Sequence, residues 1–569
     1  MSTEIITILK KIFGEDATID VSVPDEELFG HYSTNFALRQ AKLKGIPPLE
    51  LAREYAAKIA AAAPAGFFQK VEAAAPGFIN FWLSDVTMQR AFTKLAGDKK
   101  YGAGNIGKGK TVIVEYSQPN IAKKMHVGHM RTTIIGAALA NILELSGYRV
   151  VRWNYLGDWG TQFGKLIAAY KMWGDKKSVE KNPIEELQRL YVRFHEEMKS
   201  DSALEKRGQE EFKKLEEGNR ENRKLWEWFK EESLGEFKKM YKILDIDFDV
   251  WIGEAFFEGE MKATVKELME KHIAERSEGA VVVKLDDAGL PPALVQKSDG
   301  ASLYLTRDIA NLRYRLKKYK PAKILYVVGN EQALAFEQLF AVAKLLGWDS
   351  AELKHIKYGL VLGEGGKKLS TREGTAQLLE GVIAEAIAKA REVIETKNPN
   401  LTPVEKEEVA TVVALGALRY NDLKENRTTD IIFNWDKMLD FSGDSGPYLQ
   451  YTYARLKSIL RKSQAVNGTF NAKTADISSL AHTTELALIR KLFEFPDVVA
   501  RAAELYSTST LAVYLYKLAV TANKFYETTP ILKDEDAARR NAHLLLIDTA
   551  ARVLRKGLGL LGIETLEKI

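Results

Sequence analysis

Apolar residues recur along this chain with two different periods, and their order predicts the architecture. Thr111-Val112-Ile113-Val114 is a short β-branched run with the make-up of a strand. After the loop Ser117 to Met125, a helical pattern runs from Met130 to Leu145 and stops at Gly147, and a second strand-like run, Tyr148 to Trp153, follows. Strand, glycine-bearing loop, helix and strand in that order predict a βαβ unit, whose helix N-terminus is a natural anion site. A second α/β pattern starts at Ile324-Leu325-Tyr326-Val327-Val328, meets Gly329, continues as a helix to Leu346 and stops at Gly347; His355 to Leu362 has the pattern of the next strand. Two α/β halves separated by an insertion predict one split nucleotide-binding domain rather than two domains.

The flanks carry other patterns. Residues 1–106 are expected to form a small α+β domain, with a helix over Pro48 to Ala62 and a strand over Gly77 to Leu83, and the glycine-rich stretch Tyr101 to Gly109 is expected to be a linker. The α/β domain is then placed at 107–380, with a charged helical insertion at about 175–295 whose charge runs have the character of solvated helix faces. A connecting helical segment, 381–445, leads to a helical C-terminal domain, 446–569. There Leu449, Tyr453, Leu456 and Leu460 recur at helical spacing, with Arg455, Lys457, Arg461 and Lys462 between them.

Composition narrows the class. At 569 residues, 46% hydrophobic and 28% charged, the chain has the balance of a soluble, multidomain globular protein. It has no cysteine, which excludes disulfides and thiolate zinc sites and suits the cytoplasm. No apolar run reaches membrane-spanning length, and Met1 to Ile5 lacks the basic and apolar regions of a secretory signal. A net charge of +5 permits an RNA partner without demonstrating one.

Candidate chemistry gathers in four places. His126-Val127-Gly128-His129 opens the first long helix, where two imidazoles can hydrogen-bond a polyphosphate and Gly128 lets a flat base approach. The glycine-flanked Lys367-Lys368-Leu369-Ser370-Thr371-Arg372 suits a phosphate clamp, although such a string alone is more often a basic solvent loop. Tyr304 and Asp308 stand four residues apart, on one face if the segment is helical, as a surface pair also would. Glu115 ends the first strand, with Asn120 in the loop beyond it, at the sheet edge where ligands of such folds bind.

The sequence around these residues resembles the arginyl-tRNA synthetases, class I enzymes with a Rossmann-type catalytic core. The resemblance lies in Val114 to Lys123 leading into His126-Val127-Gly128-His129, Asn154 to Gly164, Lys297 to Asp308, Val327 to Gln332, Asp422 to Trp435, Gly446 to Tyr451 and Gly557 to Glu564, in the family's order over nearly the whole chain. It implies a catalytic core flanked by an N-terminal domain that touches tRNA and an all-α anticodon-binding domain. It implies that L-arginine is activated with ATP to arginyl-AMP and transferred to the terminal adenosine of tRNA(Arg), with AMP and pyrophosphate released, that adenylate forms only with tRNA bound, and that no editing domain is present. His126, Gly128, His129, Lys368, Ser370 and Arg372 would contact ATP, with His126, His129, Lys123 and Lys368 catalytic. Glu115 and Asn120 would hold the backbone end of arginine, while Tyr304, Asp308, Gln332 and Glu254 would read its guanidinium; Phe78 and Asn80 match positions that contact tRNA. Mg2+ is expected on the ATP, without a recognisable protein ligand, and the family's usual state is monomeric.

Three positions depart from the family pattern. Lys368-Leu369-Ser370-Thr371-Arg372 lacks the second lysine of the usual Lys-Met-Ser-Lys-Ser, and Lys123 is expected to stand in for it, with Lys124 an extra cation. Ala335 replaces a frequent histidine that contacts ATP, and Ile569 ends the chain where methionine is common. Glutamyl- or cysteinyl-type enzymes share the two signatures, but the absence of cysteine argues against a thiolate-zinc member and Asp308 with Tyr304 against an anionic amino acid. A non-catalytic RNA-binding paralogue would have no chemical need for His126, His129, Asn120 and Asp308.

Overall fold

The computed structural model describes residues 1–24, 26–298, 303–363, 366, 377–467 and 472–569. The N-terminal unit is a small antiparallel sheet, order β1-β3-β2, built from β1 (Tyr32–Thr34), β2 (Phe68–Ala74) and β3 (Phe78–Leu83). The Pro48–Ala62 helix packs on it, begun by a proline that pre-sets the first helical turn. Ile5, Leu9, Phe36, Ile59 and Phe81 form its dry interior.

The central sheet comprises β4 (Thr111–Glu115), β5 (Arg149–Leu156), β6 (Val250–Gly253), β10 (Lys323–Tyr326) and β11 (Glu352–His355), in the order β11-β10-β4-β5-β6 and parallel throughout. Val112, Ile113 and Val114 are fully buried, as expected of a parallel strand covered on both faces. The strand order reverses between β4 and β10, so the crevice beyond their carboxyl ends is the binding position of this fold. The α/β expectation therefore holds, and the Val127–Leu145 helix crosses over from β4 to β5 as the periodicity predicts.

Two stretches fold differently from their sequence pattern. Residues 175–295 are wholly helical only to Ile243, and beyond it the Met261–Glu270 helix lies among strands. They continue through β6, an edge strand of the central sheet, and an antiparallel sheet of β7 (Glu275–Ser277), β8 (Ala280–Val283) and β9 (Ala293–Gln296). His355 to Leu362 is not one strand. β11 ends at His355, the chain passes Gly359 against the Thr429 backbone, and β12 (Val361–Leu362) pairs instead with β13 (Ile431–Ile432).

The C-terminal unit is helical, from Gly446–Asn467 to the Ala537–Leu560 helix, with Leu449, Tyr453 and Leu456 on its buried side. It contacts both other units: Ser2 Oγ donates to Asp497 at 2.6 Å, and Tyr506 Oη to Glu352 at 2.9 Å. Among the described residues no helix is long and apolar enough to cross a membrane.

Candidate active site

Beyond β4 the chain enters a loop whose backbone is held in costly conformations. Ser117, Gln118 and Ala122 have φ of 77°, 50° and 61°, a region L side chains visit at a cost of about 1–3 kcal/mol each. The surrounding structure fixes them. The Ser117 amide donates to Thr132 Oγ1 (3.2 Å), Ser117 Oγ is 2.6 Å from Tyr241 Oη, and the Ala122 amide donates to Ser233 Oγ (3.1 Å). Ser233 and Tyr241 sit on the Arg220–Ile243 helix, so the charged insertion braces this loop with its buried face.

Asn120 pairs with Gly157 beyond β5, through Ile121 N–H to Gly157 O and Gly157 N–H to Pro119 O, each 3.1 Å. A methyl group at Gly157 would fall on the Asn120 amide. Gly157→Ala is therefore expected to displace Asn120 and raise the KM for the amino acid about tenfold or more while leaving the fold intact; an unchanged KM would free Asn120 of any substrate role.

His126 is the N-cap of the Val127–Leu145 helix. Its Nδ1 accepts from Gly128 N–H (3.1 Å), and its own N–H donates to His129 Nδ1 (3.1 Å). Backbone donors thus occupy both Nδ1 atoms, which assigns the proton of each neutral ring to Nε2 and makes Nε2–H the available donor. Burial, helped by the Lys123 charge, lowers the His126 pKa; burial and the neighbouring His126 push His129 down to about 3. Both rings are therefore neutral hydrogen-bond donors at neutral pH.

The two candidate cations beside them point apart. Lys123 is exposed, with Nζ 5.5 Å from the Tyr191 ring centre, and its charge reaches both histidines. Lys124 leans onto Glu185 of the insertion, 3.9 Å away. Lys368, Ser370 and Arg372 lie outside the described residues. The backbone just after them does not: Val127 N–H donates to Gln377 O (3.1 Å) and Leu379 N–H to Met125 O (3.0 Å), joining that segment to the His126 turn.

Three carboxylates converge at the ends of β4 and β6 and on the Tyr304–Tyr319 helix. Glu115 is buried and bonded to Arg315, and also accepts from Gln118 Nε2 at 2.8 Å. Glu254 pairs with Arg307 at 2.9 Å; burial still raises its pKa to about 7. Asp308 forms no ion pair among the described residues, and burial together with Glu115 and Glu254 pushes it up to about 8. Of the three acids it alone lacks an ion-pair partner among the described residues, Arg307 and Arg315 acting on it from their pairs with Glu254 and Glu115. Tyr304, 65% exposed, stands one turn before Asp308, and Gln332 is exposed on a short turn after β10. Sequence reasoning missed Tyr155, Arg307 and Arg315: Tyr155 Oη is buried, has no hydrogen-bond partner among the described residues, and lies in the field of Asp308, Glu254 and Glu115. Its only sequence signal is an inward polar position on a buried strand.

Residues 92–435 match the family described as tRNA synthetases class I (R), catalytic domain; residues 449–569 match the DALR anticodon binding domain, and residues 1–83 the arginyl tRNA synthetase N terminal domain. The arginine–tRNA ligase of Fusobacterium nucleatum is 43% identical over 97% of this chain and 95% of its own, and that of Halothermothrix orenii 42% over 96% and 95%. The chain belongs to the arginyl-tRNA synthetases. The Thermus thermophilus arginyl-tRNA synthetase structure superposes with a TM-score of 0.84 at 26% identity, covering 100% of both chains. That of Plasmodium falciparum gives 0.81 at 27%, covering 100% and 99%.

Outside the crevice beyond β4 and β10, Phe78 is exposed on β3, whereas Asn80 is 3% exposed and its Oδ1 accepts from Ser33 Oγ at 2.8 Å. The Asn80 amide therefore holds the small sheet together rather than facing solvent. Ala335 is exposed at the start of the helix after β10, and the Ile569 carbonyl accepts from Asn398. Arg455 stacks over Tyr526 at 4.5 Å near this terminus, and Arg461 and Lys462 line the same groove.

Proposed function

We propose that this arginine–tRNA ligase uses the crevice beyond β4 and β10 as its adenylation site, with arginine seated on Asp308. The observation that carries the reading is the charge balance of the pocket: Arg315 and Arg307 compensate Glu115 and Glu254, and Asp308 is left to a cationic guest. A guanidinium is planar with five donors, so a carboxylate flanked by Tyr304 and Gln332 satisfies more of it than of a compact ammonium. Asn120 takes the backbone end of the amino acid. Glu115 contributes there through Arg315 rather than as a free carboxylate.

ATP lies with its phosphates at the Nε2–H donors of His126 and His129, Gly128 giving room for the nucleotide. The arginine carboxylate attacks the α-phosphate in line, the bond to the bridging oxygen breaks, and pyrophosphate leaves toward Lys123 and the second signature. A hydroxyl of the terminal adenosine of tRNA(Arg) then attacks the arginyl carbonyl and AMP leaves. Mg2+ enters with the ATP; among the described residues no group of three or more acidic or histidine side chains is arranged to hold a metal. Adenylation takes place with tRNA bound, on a monomer, and the absence of cysteine suits a reducing cytoplasm.

Pyrophosphate exchange with each amino acid, with and without total tRNA, tests the assignment. Exchange driven by arginine alone is expected; exchange driven by another amino acid would overturn it, and tight tRNA binding without exchange would indicate a non-catalytic paralogue. Within the site, Lys123→Ala is expected to slow adenylate formation about a hundredfold, as loss of a transition-state cation should, and Lys124→Ala to change it little. The reverse order would assign the role to Lys124 despite its contact with Glu185.

A further inference from the structure

Arg131, on the helix that begins at His126, is 0% exposed and holds more partners than a fold-stabilising arginine in a single ion pair. Its Nε donates to Asp422 (3.2 Å), Nη1 to Leu360 O (3.0 Å), and Nη2 to both Arg427 O (3.1 Å) and Thr429 O (2.9 Å). Four of its five N–H groups are used, three of them on backbone carbonyls of two separate segments. Those segments are bound to each other as well, because Gly359 N–H donates to Arg427 O (2.9 Å), Leu360 N–H to Asp430 (2.6 Å) and Ile431 N–H to Leu360 O (2.9 Å). Leu360 leads directly into β12 and Gly363. On the other side two backbone bonds join the chain after the second signature to the helix start, Val127 N–H to Gln377 O and Leu379 N–H to Met125 O.

We propose that Arg131 is a positioning residue for adenylate formation: it fixes the helix carrying His126 and His129 against β12 and the Arg427–Thr429 segment, and so sets where the two imidazoles stand in the crevice. The inference rests on the reading of His126 and His129 as phosphate ligands. The planar fork is what allows one side chain to join Leu360, Arg427 and Thr429, and a lysine cannot span them. Asp422 supplies the counter-charge. Burial raises its pKa to about 6 even beside Arg131, so the pair is held for geometry at an electrostatic cost. Arg427 also donates to Tyr506 O (2.8 Å), which extends the clamp to the C-terminal helical unit.

The test is tRNA-dependent pyrophosphate exchange on the full chain for Arg131→Met, Arg131→Lys, Asp422→Asn and His129→Asn, with melting curves for each. Arg131→Met is expected to lower kcat about a hundredfold and raise the KM for ATP, with the KM for arginine within about threefold, because a shift of about 1 Å at the reacting groups costs that much. Arg131→Lys should recover little of this, and Asp422→Asn should lose about tenfold with the same split. If Arg131→Met does not fold, the lysine and Asp422 variants decide. A folded Arg131 variant with kcat within threefold of the parent, or one in which the arginine and ATP constants worsen together in step with melting temperature, overturns the clamp. Near-normal exchange by His129→Asn instead removes the phosphate-ligand reading on which the clamp depends, so the two failures are distinct.

Discussion

Replacing Asp308 with asparagine is expected to lower kcat/KM for arginine about a thousandfold, with the KM for ATP within a few-fold. The estimate follows from the charge balance. Removing one partner of a desolvated charge pair costs about 3–5 kcal/mol, and asparagine keeps the shape while removing the charge. The change should also erode discrimination: citrulline, a neutral isostere of arginine, should gain relative to arginine because the carboxylate that rewarded the guanidinium is gone. The pH dependence gives a second readout. Asp308 is pushed up to about 8 by burial and by Glu115 and Glu254, and the cationic substrate selects its ionised form. Binding therefore releases a proton at neutral pH. In the free enzyme kcat/KM for arginine should fall about tenfold per unit as pH drops below about 8 and level off above it, while kcat at saturating arginine lacks that limb. The asparagine variant should lose the dependence. A flat parent profile, or an asparagine variant that still prefers arginine over citrulline as strongly, would falsify the assignment.

How much of this could be read from the sequence depended on where the partners lie. The βαβ unit around His126 was legible because its periods are local: a β-branched run, a helix of apolar side chains, and glycines at the turns. The Pro48–Ala62 helix was legible to the residue, since Pro48 marks its start. β6 was not, because four residues in a charged stretch carry no detectable period and are a strand only through pairing with β5. The tRNA-contact expectation at Asn80 met a related limit: it shares the strand face of exposed Phe78, and the group that takes up its amide oxygen, the Ser33 hydroxyl on β1, lies 47 residues away in the chain. The same limit holds at the site. Tyr304 and Asp308 could be placed on one helical face from their spacing, but the pairing of Glu254 with Arg307 spans 53 residues and that of Glu115 with Arg315 spans 200. The proposal that Asp308 meets the substrate rests on the other two acids being already paired, and only the tertiary structure shows that pairing.

The histidines support a prediction that separates their structural and chemical parts. Each Nδ1 accepts a backbone N–H of the helix start, and asparagine and serine do this as well as histidine, asparagine being among the best N-caps. His126→Asn and His129→Asn should therefore keep the helix start and a near-parental melting temperature, yet lose the Nε2–H donor that the proposed mechanism assigns to the phosphates. Each is expected to lower kcat for adenylate formation by about 10²–10³, the usual cost of one transition-state donor. The alanine variants should add a loss of about 1 kcal/mol in stability from the missing cap without a comparable further loss in rate. The pH profile should agree. Because burial holds His129 at about 3, it stays neutral through pH 6–8 and kcat should show no titration of His129 there, while burial and the Lys123 charge move the His126 titration below the usual imidazole range. If the asparagine variants keep parental kcat, the rings are caps and nothing more, and the phosphates must be met by Lys123 and the second signature. If kcat falls as pH drops from 8 to 6 and the asparagine variants abolish that fall, the active form carries a titrating histidine and the neutral-donor assignment is wrong. If the asparagine and alanine variants lose rate and stability in parallel, the loss belongs to the fold of the loop that also carries Asn120 and Lys123, and the separate donor role of the rings is overturned.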